Sequence, residues 1–326
     1  MHHAGYNRPQ RAKDRRLTAM SSNPFTVRVP ASTSNLGSGF DTVSAALSLY
    51  LTVQVEPTSE KQIEWLENSE SPLPFDQEDN LILRSLHSAL GVLQTDAPGC
   101  RISMDNQIPL QRGLGSSAAA IIAGIKIAEH LAGGKLDTRQ IFQIAYPLEG
   151  HPDNLAASLL GGWVLSWIDD DRMQSERLLS ALSCRFIVAV PEITISTREA
   201  RTLLPEQYSL EDVTFNLQRC GLLIHALNSG QKQFLREAMS DRLHQPFRSQ
   251  LVPGMDQLLR LENLNNEWSD SLLGVSISGS GSTAIALADD HYEKIGKWML
   301  ETLSAQATQA DWHLVDLDTK GAQVLP

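Results

Sequence analysis

The segment from Pro109 to Ala119, PLQRGLGSSAA, limits the possible folds more than any other stretch of this sequence. A predicted strand, CRISMDNQI, precedes it, and a predicted helix from about Ser117 to Leu131 follows it. Glycines permit a sharp turn, and the start of a helix offers unpaired N–H groups and the positive end of its dipole to an anion. Ser116 and Ser117 add hydroxyl groups suited to a phosphate or to Mg²⁺. The segment therefore predicts a phosphate-binding turn between a strand and a buried helix.

Two other glycine-rich motifs, and a plain turn, compete with this interpretation. A Walker A loop needs a lysine after its last glycine, and this segment has none. A dinucleotide-binding fingerprint fits formally as Gly113-x-Gly115-x-x-Ala118, but it needs an acidic residue about 20 positions later at the end of a strand, and Asp137 lies between two predicted helices. A turn without a ligand would explain a bare GxGxxA match, whereas the longer pattern present here favours a binding loop.

Strands and helices alternate through the rest of the first half. FTVRVPA and LYLTVQVEP are predicted strands, and the segment between them, STSNLGSGFDTVSAA, is predicted to be a loop that presents Asn35 and Asp41 to a ligand. Asp79 or Asn80 is predicted to cap a helix that runs to Leu93. Two further helices are predicted over residues 138–148 and from HPDN to Gly161, and WVLSWID is predicted to be a strand.

The second half has an order of elements of its own. It begins with the strand FIVAVP and a helix opened by a capping box at Ser196–Glu199, and a long helix is predicted from Leu210 to Leu227 with Leu217 on its buried stripe. The strands GVSIS and TAIALA, a helix over residues 291–303 and the strand WHLVDLD complete the chain. Without the extra helices this order is β-α-β-β-α-β, which predicts a ferredoxin-like domain. The boundary is predicted near residue 180, so that the chain is an α+β protein with domains over residues 25–180 and 181–326.

The charge distribution argues against a nucleic-acid partner. The chain has a net charge of −11, but residues 1–20 carry +4, which leaves −15 on the remainder. An acidic body repels nucleic acid, and the composition of residues 1–24 is typical of a disordered extension. The sequence shows no secretory signal, no apolar run of the ~18 residues that a membrane span needs, and no metal or disulfide spacing among Cys100, Cys184 and Cys220. We therefore expect a cytoplasmic protein that binds neither nucleic acid nor membranes.

Three segments resemble motifs of the GHMP kinase superfamily. PLQRGLGSSAA is similar to its phosphate-binding motif, commonly PxxxGLGSSAA. Residues 29–41, VPASTSNLGSGFD, resemble the N-terminal motif of homoserine kinases, with Ser34 and Ser38 in place of the more usual Ala and Pro. Residues 277–283, ISGSGST, resemble the third superfamily motif, with Ser282 in place of Pro. The resemblance runs from about residue 25 to the C-terminus and implies an N-terminal α/β nucleotide-binding domain followed by a ferredoxin-like domain.

The resemblance also implies the ligands of the glycine loop. The expected cofactors are ATP and Mg²⁺, and the third motif is expected to pack against the loop and support it. Ser117 and Glu149 are the expected metal ligands. The expected nucleotide-binding residues are Pro109, Arg112, Gly113, Leu114, Gly115, Ser116, Ser117, Ala118 and Ala119.

A second polar segment, Glu149–Asn154 (EGHPDN), stands just before a predicted helix. Pro152 is expected to hold His151 extended, and Asp153 is a natural N-cap. Capping alone could explain Asp153, but it explains neither Glu149 nor His151. The resemblance implies that Asp153 and Asn154 are catalytic and orient the substrate hydroxyl, because phosphoryl transfer depends mainly on positioning and charge neutralisation. The chain has no lysine between Phe25 and Asp41 to form the Asp–Lys pair of mevalonate kinases.

The substrate that the resemblance implies is L-homoserine, a zwitterion that needs an acid for its ammonium and paired donors for its carboxylate. Asp41 is expected to bind the ammonium, and Arg201 and Arg248 the carboxylate, while Arg198 is expected to be solvated. The other expected substrate contacts are Asn35, His151 and Thr197.

The expected activity is therefore ATP-dependent phosphorylation of homoserine. Alternatives on the same fold are a kinase or decarboxylase for isoprenoid precursors, a sugar kinase, and a catalytically silent amino-acid sensor. An isoprenoid or sugar substrate would not explain Asp41 together with the two arginines, and the intact loop argues against a silent sensor. A homodimer is a further expectation from the resemblance.

Overall fold

The computed structural model describes residues 23–60, 62–66, 79–96, 99–262 and 264–326. The predicted extension over residues 1–24 lies outside this part of the chain except for its last two residues. The strands are β1 (Phe25–Asn35), β2 (Gly39–Pro57), β3 (Ile63–Trp65), β4 (Cys100–Asn106), β5 (Trp163–Asp169), β6 (Arg172–Arg177), β7 (Arg185–Pro191), β8 (Leu272–Ile277), β9 (Ala284–Ala288), β10 (Ala310–Val315) and β11 (Gln323–Leu325). The α-helices are α1 (Leu81–Leu93), α2 (Ser116–Leu131), α3 (Thr138–Glu149), α4 (Asp153–Leu160), α5 (Thr197–Thr202), α6 (Leu210–Ser229), α7 (Leu235–Ala238), α8 (Gln245–Arg248), α9 (Met255–Leu258) and α10 (Tyr292–Ser304).

The first sheet has seven strands and is built on the long β1–β2 pair. Its path is β11-β1-β2-β4-β3, with β5 paired to β2 and β6 paired to β5. Among the strands of the described residues, only the β3–β4 pair is parallel. Alternate valines of β1 and β2 are fully buried, as expected of strands with one face on a core. Since β11 pairs with β1, the last residues of the chain belong to this sheet.

Helices α2 and α4 cover the β1–β2 pair, and α1 and α3 pack against α2. Helix α2 is buried on nearly all sides, as its run of small and apolar residues predicts. Gly124 allows α1 to approach closely, because a Cβ there would overlap the carbonyl oxygen of Ile82. Asn80 caps α1 by accepting hydrogen bonds from the N–H groups of Ile82 and Leu83 at 3.0 and 3.3 Å, as predicted. This packing fixes the N-terminus of α2 beside the sheet.

The second sheet is antiparallel and has the strand order β10-β7-β9-β8. This order, with α10 packed on β7 and β10, confirms the predicted ferredoxin-like arrangement. Helices α5 to α9 lie between β7 and β8 along the chain, so the first helix of this arrangement is among them. The division near residue 180 stays a prediction, and β11 shows that the C-terminal end also contributes to the first sheet.

Two local predictions were wrong. The segment predicted as a long loop before LYLTVQVEP is mostly strand, since β1 runs to Asn35, β2 starts at Gly39 and only Leu36–Ser38 form the turn. The cause is pairing between the strands, with Ser32 opposite Ala46 and Ser34 opposite Ser44. Leu217, predicted on the buried stripe of α6, is 69% exposed, because α6 buries the face of the neighbouring Asn216.

No helix among the described residues is both long enough and apolar enough to cross a membrane. Cys100, Cys184 and Cys220 are free thiols, in agreement with their irregular spacing in the sequence.

Candidate active site

The glycine loop forms the predicted turn before α2. Gly113 and Gly115 have φ values of +77° and +68°, a region that favours glycine, and a Cβ on Gly115 would overlap the hydroxyl of Ser32. No side chain caps the first turn of α2. Its N–H groups are therefore available to an anion, and the dipole of a sixteen-residue helix adds to the attraction.

The third motif packs directly against this loop, as predicted. The Ser278 hydroxyl donates to the carbonyl of Gly113 at 2.7 Å and to the Thr33 hydroxyl at 2.9 Å. The N–H of Thr283 donates to the carbonyl of Arg112 at 3.1 Å. A Cβ on Gly113 would overlap the Ser278 carbonyl oxygen, so the two turns touch backbone to backbone. The second sheet thereby holds the phosphate loop in place.

A cavity of about 260 Å³ lies in front of the loop and is lined from both halves of the chain. A larger groove of about 990 Å³ in the second half contains none of the predicted site residues, so the smaller cavity is the candidate active site. Thirteen predicted residues line the smaller cavity: Asn35, Asp41, Gly113, Gly115, Ser116, Ser117, Glu149, His151, Asp153, Asn154, Thr197, Arg201 and Arg248.

Five predicted loop residues do not line this cavity. Leu114, Ala118 and Ala119 are buried in the hydrophobic core, where they allow the loop and α2 to approach the sheet. Pro109 and Arg112 are half-buried and do not line the cavity. Six lining residues escaped prediction: Ser34, Gln111, Ile195, Ser196, Gly279 and Ser280. Ser34, Gln111, Gly279 and Ser280 lay within quoted motifs, and Ser196 was predicted only as a helix cap, whereas Ile195 gave no chemical signal in the sequence.

Ser117 and Glu149 meet in the cavity at the start of α2. The Ser117 hydroxyl donates to Oε1 of Glu149 at 2.8 Å. Burial raises the pKa of Glu149 to about 7, the negative charge of Asp153 also raises it, and the bond from Ser117 opposes the rise. The structure thus brings Glu149 to the end of the glycine loop. The Ser117 hydroxyl and the Glu149 carboxylate are two adjacent hard oxygen donors that line the cavity, and such donors fit the ligand preference of Mg²⁺.

Asp153 and Asn154 form the floor of the cavity at the start of α4. Pro152, and not Asp153, occupies the N-cap position, so the predicted capping role was wrong. Asp153 is instead the first helical residue, and its carboxylate accepts the N–H of Asn154 at 2.7 Å. The Asn154 amide accepts from Ser32 at 2.9 Å and donates to Ser34 at 3.1 Å. Its orientation is therefore fixed by two hydroxyls of β1.

Asp153 is almost completely buried, at 2% exposed. Burial raises the pKa of its carboxyl to about 6, and the charge of Asp41 raises it further, while Asn154, Ser34 and Arg201 oppose the rise. The neighbouring His151 is affected in the opposite sense, since burial and the charge of Arg201 lower the pKa of its ring. Both effects favour neutral forms in this part of the cavity.

Asp41 and Arg201 face each other across the cavity wall and form a salt bridge. One nitrogen of Arg201, Nη2, donates to both carboxylate oxygens of Asp41 at 2.8 and 2.9 Å. Asn35 accepts the N–H of Asp41 at 2.9 Å and donates to the carbonyl of Gly279 at 2.7 Å. Arg248 is 3% exposed and donates to the same carbonyl at 3.0 Å. Thr197 lies at the exposed start of α5, and Arg198 beside it is exposed, as expected.

The aromatic ring of Phe40 supports both arginines. The guanidinium carbon of Arg201 lies 5.6 Å from the ring centre, and that of Arg248 lies 5.1 Å from it. The ring itself stacks on His244, with a centroid distance of 5.0 Å and an interplanar angle of 21°. Neither Phe40 nor His244 was singled out from the sequence.

Several known proteins resemble this chain in sequence and in structure. Residues 80–162 match the family model described as the GHMP kinases N terminal domain. Homoserine kinase of Desulfitobacterium hafniense is 37% identical over 300 residues, which covers 92% of this chain and 99% of the relative. Homoserine kinase of Persephonella marina is 36% identical over 299 residues, with coverage of 91% and 97%. The crystal structure of homoserine kinase from Cytophaga hutchinsonii superposes with a TM-score of 0.82 at 27% identity, over 94% of this chain and 99% of that one.

Proposed function

Because this chain belongs to the homoserine kinase family of the GHMP kinases, we propose that the 260 Å³ cavity is its active site. The protein transfers a phosphoryl group from ATP to the hydroxyl of L-homoserine and forms O-phospho-L-homoserine, a step of threonine biosynthesis. The alternative of an isoprenoid-precursor kinase or decarboxylase has no support among these relatives.

One observation carries the assignment of this cavity, namely that a phosphate loop and a set of opposite charges share it. The N-terminus of α2 can bind phosphate groups, while Asp41, Arg201 and Arg248 lie on the other wall. An acid and two arginines are the groups that an amino-acid head requires, since the acid pairs with the ammonium and the guanidinium groups pair with the carboxylate. Asn35, His151 and Thr197 complete the proposed substrate side.

The phosphates of ATP would bind the N–H groups of the turn and of the first turn of α2. Gly113, Gly115 and Ser116 line the cavity there, and Pro109, Arg112, Leu114, Ala118 and Ala119 shape the turn from behind. Ser117 and Glu149 would hold Mg²⁺ through their oxygens. When bound, the metal ion neutralises charge on the phosphate oxygens.

Asp153 and Asn154 would orient the hydroxyl that attacks the phosphorus atom. Asn154 is held by Ser32 and Ser34, and Asp153 is held by its bond to the N–H of Asn154, so both groups are positioned before the substrate arrives. A positioned acceptor near the hydroxyl and positive groups around the phosphate are the main protein contributions to phosphoryl transfer.

We also propose that the protein is cytoplasmic and that it forms a homodimer. Sedimentation would test the homodimeric state.

Steady-state ADP release tests the substrate assignment. L-homoserine should support turnover, whereas mevalonate and diphosphomevalonate should not. Arg201→Ala should reduce kcat/KM for homoserine by the equivalent of about 2 kcal/mol of transition-state stabilisation. This value is at the lower end of the usual cost of truncating a paired charge, because the Arg201 side chain is 39% exposed. The exposed Arg198→Ala on the same helix is the control and should leave kcat/KM unchanged.

Homoserine methyl ester, which lacks the free carboxylate, tests the role of Arg201 directly. It should be a poor substrate for the wild-type enzyme, and Arg201→Ala should discriminate less against it. The two changes should not be additive, because each removes the same interaction. Fully additive penalties at saturating ATP would show that Arg201 does not hold the carboxylate.

A further inference from the structure

The two residues assigned to opposite ends of the substrate bind each other in the structure. Asp41, assigned to the ammonium, accepts two hydrogen bonds from Arg201, assigned to the carboxylate. Their side chains are 35% and 39% exposed, so the salt bridge lies at the wall of the cavity and within reach of a ligand. The head-group site thus already contains one anion and one cation in contact.

The surroundings hold both partners in place. Asp41 has a φ of +52°, an unusual value for a residue other than glycine, and Asn35 stabilises this conformation by accepting its N–H at 2.9 Å. The guanidinium of Arg201 lies over Phe40. Arg248 donates to the carbonyl of Gly279 and does not compete for Asp41 by a direct hydrogen bond within the described residues. The salt bridge is therefore a built feature of the site.

We propose that this salt bridge makes the enzyme selective for zwitterions, a conclusion that rests on the proposed function of the cavity. A ligand with only a carboxylate competes with Asp41 for the charge of Arg201 and offers the aspartate no partner in return. A ligand with only an ammonium group competes with Arg201 for Asp41 and offers the arginine no partner in return. A zwitterion replaces one salt bridge by two, so both protein charges stay paired. The enzyme thereby rejects simple hydroxy acids and amino alcohols of the length of homoserine.

Two analogues separate the charges of homoserine. 4-Hydroxybutyrate keeps the hydroxyl and the carboxylate, and 3-aminopropan-1-ol keeps the hydroxyl and the ammonium group. Their dissociation constants can be measured by ligand-observed NMR titration, which does not depend on turnover. Asp41→Asn removes the charge that competes for Arg201 and preserves the size of the side chain.

Asp41→Asn should change the affinities of two ligands in opposite directions. It should weaken the binding of homoserine about tenfold or more, because the ammonium group loses its partner Asp41. It should strengthen the binding of 4-hydroxybutyrate about two- to fivefold. This is the range expected when a salt bridge with side chains about a third exposed is released. Weaker or unchanged binding of 4-hydroxybutyrate by Asp41→Asn would overturn the proposal.

The mirror variant Arg201→Gln keeps the test decisive if Asp41→Asn does not fold. This change frees Asp41, so it should strengthen the binding of 3-aminopropan-1-ol about two- to fivefold and weaken the binding of homoserine. The control Arg198→Gln, exposed on the same helix, should change neither constant. Failure of the wild-type protein to release ADP with homoserine would instead refute the proposed function. Turnover of homoserine combined with weaker binding of both analogues by their variants would refute only the selectivity mechanism.

Discussion

Burial of the Asp153 carboxyl should make this residue costly for stability, although we propose that the reaction uses it. Its side chain is buried at the start of α4. Burial, followed by the charge of Asp41, raises its pKa from 3.8 to about 6. We expect Asp153→Asn to abolish turnover and to increase the free energy of unfolding at pH 8. Asparagine keeps an oxygen that can accept the N–H of Asn154, so the change removes mainly the charge.

The magnitude follows from linkage between protonation and folding. A pKa raised by about 2 means that ionised Asp153 lowers the free energy of unfolding of the wild-type protein by roughly 3 kcal/mol. The variant also loses a favourable charge in the first turn of α4, which is worth up to about 1 kcal/mol. We therefore expect a net gain of roughly 1 to 3 kcal/mol. Because the folded state binds the proton more tightly, the gain should be complete above about pH 7 and should vanish below about pH 4.

Urea unfolding at several values between pH 5 and pH 8, with EDTA and without nucleotide or homoserine, measures this difference. The control is Asp105→Asn, an exposed aspartate on β4, for which no comparable gain is expected. A variant that is less stable than the wild-type protein at pH 8 would refute the reasoning. A gain of the same size at pH 5 and pH 8 would show that ionisation of Asp153 is not its cause.

Two further predictions concern the phosphate loop. Ser117→Ala should lower kcat by the equivalent of roughly 2 to 4 kcal/mol, because the proposed Mg²⁺ site loses one of its oxygens and Glu149 loses the hydrogen bond from Ser117. Circular dichroism should show an intact fold, and wild-type turnover would contradict this role. Gly113→Ala should destabilise the protein by at least about 1 kcal/mol in urea unfolding, since its φ is +77° and its Cβ would overlap Ser278. Gly91→Ala, in open space on α1, is the matched control and should be neutral or stabilising by up to about 1 kcal/mol.

The elements that sequence reasoning located well have strong local signals. Asn80 accepts the N–H groups at the start of α1, and Asp137 forms a capping box with Gln140 at the start of α3. The GLGSS turn sits where a glycine pattern and an apolar helix meet. These features depend on residues within a few positions of one another, so periodicity and capping rules suffice to find them. The motifs pointed to thirteen residues that the fold places around one cavity, and the individual roles of these residues are proposals.

The errors lie where distant contacts override local composition. Ser32, Thr33 and Ser34 are typical of loops, yet they are buried in β1. Their hydroxyls find partners far along the chain, because Ser32 and Ser34 bond to Asn154, and Thr33 accepts from Ser278. A buried polar residue is stable when such partners exist, and a single sequence does not reveal them. The Ser34 that departs from the usual motif is thus one of the two groups that orient Asn154.

Phe40 is the most important site residue that sequence reasoning missed. In the sequence it is one aromatic residue in the turn motif, whereas the fold places its ring beneath Arg201 and Arg248 and on top of His244. The imidazole Nε2 of His244 lies 2.7 Å from the carbonyl oxygen of Gly37, which ties the β1–β2 turn to the second half of the chain. Both positive charges are attracted to the negative face of this ring, and the contact places the two arginines beside one another at the cavity wall.

Phe40→Leu tests this role, because leucine preserves much of the apolar volume and removes the aromatic face. A cation–π contact contributes about 0.5 to 2 kcal/mol, so KM for homoserine should rise about two- to thirtyfold, with a smaller effect on kcat and none on KM for ATP. The matched control is Phe215→Leu on α6, whose ring also lies under two arginines, Arg219 and Arg242, but outside the cavity. Both variants should lose some stability in urea unfolding, and only Phe40→Leu should raise KM for homoserine. An equal rise in both variants would mean that general loosening of the fold, and not the placement of the arginines, weakens substrate binding.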